Sequence, residues 1–199
     1  KKIIDSGIPP IVILPGIPEI TQHASVITGY DEEEKTILHY IQKGNQEGEQ
    51  QEGVIPQDVF DREWSEEGRL LIIISPTDTL SKITLKNDFQ NKSNRLCFNS
   101  EKLNILKNYP DVLSSLKESI ELDSNNSTAL HLYGTMLNQQ NSPECVSFYE
   151  RSLKINARSY LTFNGLGNFY LKTNQFEKAE NYYSKAIEIN PKRSAKIYK

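Results

Sequence analysis

The residues of this chain whose types could do chemistry are three histidines (His23, His39, His131), two cysteines (Cys97, Cys145) and an acidic run at Asp58, Asp61, Glu63, Glu66 and Glu67. The histidines and cysteines would hold a metal only if they converged, and none stands at a spacing that builds a zinc site. The acids would work as a general acid–base pair only if burial split their pKa values; in this run they read as a solvated face. No G-x-S-x-G elbow, no G-x-x-x-x-G-K-[ST] phosphate loop, no G-x-G-x-x-G turn and no H-E-x-x-H pair occurs. The expectation is a chain that is not an enzyme and needs no metal or cofactor.

Composition bounds the remaining classes. Of 199 residues, 37% are hydrophobic and 25% charged, enough to bury a core. The longest apolar run, Leu70–Ile74, is far short of the about 20 residues that cross a bilayer, so no direct membrane insertion is expected. A net charge of -3 gives no nucleic-acid footprint. Two cysteines build no disulfide framework, which favours a reducing setting: cytoplasmic, ciliary or an organelle matrix. The total charge hides a split. Residues 1–92 carry 9 basic against 16 acidic side chains, and residues 93–199 carry 14 against 10. Sixteen of the 17 asparagines follow residue 86, while six of the nine prolines precede residue 90, so two differently built units are expected.

The second unit repeats. Phe163, Leu166-Gly167, Tyr170, Phe176, Ala179, Tyr183, Ala186 and Pro191 return one period earlier as Leu130, Tyr133-Gly134, Leu137, Cys145, Tyr149, Ser152 and Ala157. A further step back gives Leu96, Ser100, Leu103, Tyr109, Val112, Leu116, Ser119 and Ser124. The copies span 93–126, 127–159 and 160–193, and the middle one lacks a residue near Asn141-Ser142-Pro143. Small residues at Gly134, Gly167, Ala179 and Ala186 let antiparallel helices approach, while large ones at helical spacing fill between layers. Each helix pair leaves an apolar face that only a neighbouring pair covers, so the copies stack as a solenoid.

At these residues the second unit resembles the tetratricopeptide-repeat family, over about 93–199. Copy three matches best; in copy one, Asn99-Ser100 replaces the usual Leu-Gly pair. Ser194–Lys199 reads as the start of another first helix or a capping helix. The resemblance implies a mostly α fold for this array; the residues before it, 1–92, read on their own as a small acidic α/β or extended region. It also implies that the first helices line a concave face and choose the ligand. Carried over, those positions are Cys97, Glu101 and Asn104; His131, Thr135, Asn138 and Gln139; and Asn164, Asn168 and Lys172. Such an amide-rich wall suits the backbone of an extended peptide or another protein, with His131, Thr135, Asn138, Asn164, Asn168 and Lys172 as binding residues. Family members that clamp a chaperone's C-terminal carboxylate place Lys, Asn and Arg where this chain has Cys97, Glu101, Leu132, Leu161 and Gly165, so that ligand is not expected. The resemblance implies a non-enzymatic scaffold or adaptor within a larger assembly. The alternative is a regulatory or substrate-recruiting fragment of an enzyme whose catalytic domain lies outside this chain.

In the first unit, Ile11–Leu14 predicts a buried strand and Asp31–Glu34 a helix start, with Ile37, Leu38 and Ile41 on its apolar face and Gly44 closing it. Asn45–Gly53 reads as a polar loop, and Val59, Phe60 and Trp64 as a second short helix. Arg69–Ser75 reads as the strongest strand, turned at Pro76–Asp78 into a partner at Ser81–Lys86.

Overall fold

The computed structural model describes residues 1–15, 22–42, 50–66, 71–80 and 88–191. Two units divide the chain, Lys1–Leu85 and Lys86–Lys199.

The first unit is an antiparallel sheet with a helix on one face. Its strands are β1 (Ile11–Pro15), β2 (Gln22–Asp31), β3 (Thr36–Gln42), β4 (Gln50–Pro56) and β5 (Leu71–Ile72), in the order β4-β3-β2-β1-β5. Short helices α1 (Lys2–Asp5) and α3 (Thr77–Leu80) accompany the longer α2 (Gln57–Glu66). Period-two alternation turns Val12, Leu14, Ile27 and Ile37 to one face, where Phe60 and Trp64 of α2 pack with ring centroids 5.4 Å apart.

Four expectations fail in this unit. The segment from Asp31 is a hairpin turn and not a helix: Asp31 Oδ1 accepts the backbone N–H groups of Glu33 (2.9 Å) and Glu34 (2.8 Å), and Lys35 takes a left-handed φ of 52°. An aspartate satisfies a turn in the way it satisfies a helix start, and β-branched Thr36, Ile37 and Ile41 then favour the strand. Gln50–Gly53, expected in a loop, pairs with β3, because Gly53 makes room for the His39 ring; a Cβ there would lie 2.9 Å from Nε2. Of the described part of that segment, residues 71–75, Leu71–Ile72 pairs, against β1, and Pro76–Asp78 runs into one helical turn at Thr77–Leu80. The expected strand at Ser81–Lys86 and the expected helix end at Gly44 lie outside the described residues, as does the capping helix at Ser194–Lys199.

The second unit is three helix pairs: α4 (Asp88–Ile105) with α5 (Tyr109–Leu122), α6 (Ser127–Gln139) with α7 (Cys145–Ile155), and α8 (Tyr160–Lys172) with α9 (Phe176–Ile189). The same turn recurs inside each pair. Lys107, Asn141 and Asn174 all adopt a φ of 58°. The next N–H then reaches back five residues, Asn108 to Leu103 (3.0 Å), Ser142 to Leu137 (2.9 Å) and Gln175 to Tyr170 (2.8 Å), closing the first helix. From the left-handed residue to the first buried residue of the second helix is five residues to Val112, four to Cys145 and five to Ala179. The residue missing from the middle copy therefore lies between Asn141 and Cys145. Its loss removes the extended cap: Glu144 is helical (φ -60°, ψ -22°), and α7 opens on tight bonds such as Ser147 N–H to Glu144 O at 3.1 Å.

Between pairs, α4 rests directly on α6 and α6 on α8, whereas the second helices meet the next pair through its first helix. Helices in direct contact sit on the inside of a curve, so α4, α6 and α8 form the inner row. Within pairs two and three a glycine faces a tyrosine. A Cβ on Gly134 would lie 3.0 Å from the Tyr149 ring, and one on Gly167 would lie 2.6 Å from the Tyr183 ring. Pair one exchanges both partners: Ser100 and Leu116 are buried at the equivalent positions.

Candidate functional site

The inner row carries the ten positions anticipated for ligand contact, and the structure divides them into four groups. Asn138, His131 and Lys172 bind neighbouring helices together. Asn138 Nδ2 donates to Gly165 O of α8 at 3.1 Å, and Lys172 Nζ returns from α8 to Asn138 O at 3.1 Å. His131 Nδ1 lies 3.1 Å from Thr162 Oγ1, whose hydroxyl also meets Ser159 Oγ at 2.8 Å, and its ring lies 5.8 Å from that of Tyr149. Burial pushes the His131 pKa down to about 4, so the imidazole is neutral at pH 7.

Thr135 and Asn168 occupy the same place in copies two and three and make the same bond. Tyr149 Oη donates to Thr135 Oγ1 at 3.2 Å, and Tyr183 Oη to Asn168 Oδ1 at 2.6 Å. Asn168 is nevertheless exposed. Asn164 differs from all of these. It is buried, 5% exposed, and neither its Nδ2 nor its Oδ1 has a hydrogen-bond partner.

Copy one is built otherwise. Cys97 is buried beside Ser119 Oγ (3.3 Å) in a polar knot with Ser93 and Asn126. Burial pushes the Cys97 and Cys145 thiols up; both are free, so neither is poised as a nucleophile. Glu101, Asn104 and Gln139 rim a cavity of about 50 Å³ with Ser100 and Thr135, floored by Val112, Leu116, Leu132 and Met136. Burial raises the Glu101 carboxyl above the usual carboxylate range. Met136 went unmarked in the sequence because an apolar residue at helical spacing reads as core, and Leu132 entered only as a clamp position without the clamp residue; their place beside Glu101 makes them part of a wall.

The first unit also holds groups that resemble catalytic ones. Ser25 Oγ lies 2.8 Å from His39 Nδ1 and donates to Tyr40 O at 3.0 Å. A hydroxyl whose proton is given to a carbonyl receives the imidazole N–H, the reverse of what an activated serine needs. Both side chains are buried under the sheet. A wider depression of about 580 Å³ is lined by Lys1, Glu32, Lys35, Gln57, Asp58 and Asp61, with Lys1 Nζ and Glu32 Oε1 paired at 2.8 Å. Its charges are of both signs and converge on no point. In the acid run, Asp58 is exposed and Arg62 faces Glu63 at 3.7 Å; Glu67 lies outside the described residues. Among the described residues no cluster of His, Cys, Asp or Glu could hold a metal, and no helix is long and apolar enough to cross a membrane.

Residues 160–193 match the family model of the tetratricopeptide repeat. Over 103 residues the chain is 28% identical to anaphase-promoting complex subunit 3 of Schizosaccharomyces pombe, covering 51% of this chain and 15% of that one. Over 87 residues it is 31% identical to tetratricopeptide repeat protein 37 of Xenopus laevis, covering 42% of this chain and 6% of that one. The chain thus spans a small fraction of the length of these curated relatives. Among solved structures, the tetratricopeptide domain of Arabidopsis OM64 superposes with a TM-score of 0.51 at 13% identity, covering 55% of this chain and 92% of that one, a likeness of fold.

Proposed function

We infer that the helical unit, which belongs to the tetratricopeptide-repeat family, is a non-enzymatic scaffold whose inner row seats a segment of another protein inside a larger assembly. The observation that carries this reading is the row itself. Direct stacking of α4, α6 and α8 aligns polar side chains along one wall: Asn104, Gln139, Asn168 and Lys172 are exposed on it, and Thr135 lines its cavity. Amide and ammonium groups at such intervals suit the backbone of an extended chain. His131 and Asn138 serve the site indirectly, by fixing the distance between α6 and α8. Asn164 adds a buried amide whose hydrogen bonds the array leaves unmade.

The relative from Schizosaccharomyces pombe is by name a subunit of a complex, which supports reading this chain as one too. Glu101 on the row disfavours a carboxylate ligand, and the buried free thiols fit a reducing, intracellular compartment. Affinity capture of the full chain from its own cells, with partners identified by mass spectrometry, tests the reading. Asn104→Ala combined with Gln139→Ala is expected to lose partners that Glu180→Ala, on the exposed side of α9, retains. A chain that captures nothing, or whose partners survive the inner-row change and not the outer one, overturns it.

A further inference from the structure

Position by position, the copies show what Glu101 lacks. Thr135 and Asn168 stand at its place in copies two and three, and each accepts a hydroxyl from the tyrosine of its own second helix, Tyr149 at 3.2 Å and Tyr183 at 2.6 Å. In copy one the tyrosine's place is taken by Leu116. That exchange does two things. It leaves the Glu101 carboxylate without the phenol donor of the other copies: among the described residues it makes no ion pair and no hydrogen bond to a side chain. It also leaves unfilled the space a phenol would take, and the cavity of about 50 Å³ has Leu116 in its floor and Glu101 on its rim.

We propose that this vacancy is a subsite for one cationic side chain, a lysine or arginine of the partner segment, its methylene stem laid over Leu116, Leu132 and Met136 and its charged end at Glu101. The proposal rests on the inner row being the binding surface and names the chemistry it selects. An exposed, unpaired carboxylate at the rim of an apolar hollow is matched by a counter-charge that brings its own apolar stem. A long basic side chain supplies both parts at once, an apolar stem and a charged donor. At about 50 Å³ the hollow takes part of one side chain, the rest lying along its open rim, and excludes a helix or a strand. The partner anchor is thus of opposite sign to a carboxylate.

The test uses the full chain with methyl groups labelled for NMR and four small amides as probes: Nα-acetyl-lysine methylamide, its arginine and tyrosine counterparts, and the neutral isostere Nα-acetyl-norleucine methylamide. The lysine and arginine probes are expected to shift the methyl signals of Leu116, Leu132 and Met136 saturably, at least about tenfold more tightly than norleucine, as a charge-assisted bond would give. Glu101→Gln should erase that preference. Leu116→Tyr together with Ser100→Gly rebuilds the Gly–Tyr pair of the other copies, fills the cavity and gives Glu101 its donor. That double variant should bind no probe and melt at a higher temperature. If it does not fold, the isosteric change at the exposed Glu101 carries the test alone. Equal binding of norleucine and lysine, a preference that survives Glu101→Gln, or no saturable shift with any probe overturns the proposal. Tyrosine bound as tightly as lysine overturns the cation and points to a phenol instead. These outcomes are separable from failure of the scaffold reading, which turns on partner capture by the Asn104 and Gln139 variant.

Discussion

The two contacts between successive copies use the same repeat positions to opposite ends. Between copies two and three, Tyr149 is fully buried, with the glycine of its own pair on one side and Gly165 of the next on the other; a Cβ on Gly165 would lie 2.6 Å from its ring. A polar thread, His131 to Thr162 and Asn138 to Gly165, runs beside it. Between copies one and two the tyrosine is Leu116, the glycine is Ser100, and Cys97, Val112, Ala129 and Met136 close most of the gap. The first arrangement spends its large side chain and its hydrogen bonds on cohesion. The second leaves a small void and an unmatched carboxylate facing outward. A repeat slot thus serves either stacking or recognition, and one pairwise exchange decides which.

Putting the first contact's chemistry out of order should have the largest effect. Tyr149→Leu introduces copy one's residue beside two glycines that leave it nothing to pack on; we expect a loss of about 2–3 kcal/mol in urea unfolding followed by circular dichroism. Gly165→Ala forces a methyl against the same ring and should cost about 2 kcal/mol net of alanine's better helix propensity. A loss below that of Ser100→Gly would show that the ring shifts freely and that the two contacts are not different in kind.

Acid should separate them next. His131 titrates at about 4 when folded and near 6.5 when unfolded, so between those values the unfolded chain holds the extra proton. Stability should therefore be complete above pH 6.5 and fall as pH drops towards 4, by at most about 1.4 kcal/mol per pH unit. His131→Gln, which still reaches Thr162, should flatten that slope. Cys97 stands at the equivalent place in copy one and does not titrate there, so a slope unchanged by His131→Gln would move the acid sensitivity elsewhere.

The smallest effect is expected at Ser100→Gly. With Leu116 opposite, nothing requires a glycine, and the change should cost about 1 kcal/mol, the backbone penalty of glycine in a helix.

Much of this comparison was visible in the sequence and some was not, for reasons that differ by residue. The register of the copies was legible because small and large residues alternate at a fixed period, and steric exclusion of the kind seen at Gly134 and Gly167 allows little substitution. The missing residue near Asn141 was legible for the same reason. That the anticipated contact residues lie on the first helices was legible, but not what each side chain does there. Asn138 and Asn168 are the same residue type on the same face; one is tied to Gly165 and buried, the other is half-committed to Tyr183 and exposed. That distinction depends on what the opposing helix offers, which no single residue encodes. In the sheet unit the acids after Asp31 misled because a side-chain carboxylate caps a turn as readily as a helix, and register against β3 decides Gln50–Gly53.

The shortened turn between Asn141 and Cys145 has a consequence for how the array comes apart. Solenoids ordinarily fray from their ends, where a repeat has one neighbour. Here the shortest second helix is in the middle: α7 has 11 residues against 14 for both α5 and α9, and it follows a helical Glu144 (ψ -22°) where the others follow a non-helical residue (ψ 69° at Asn108, 67° at Gln175). Amide protons at Val146 and Ser147 should thus exchange with solvent early, making an interior seam across which the flanking copies lose cooperativity before either terminus gives way.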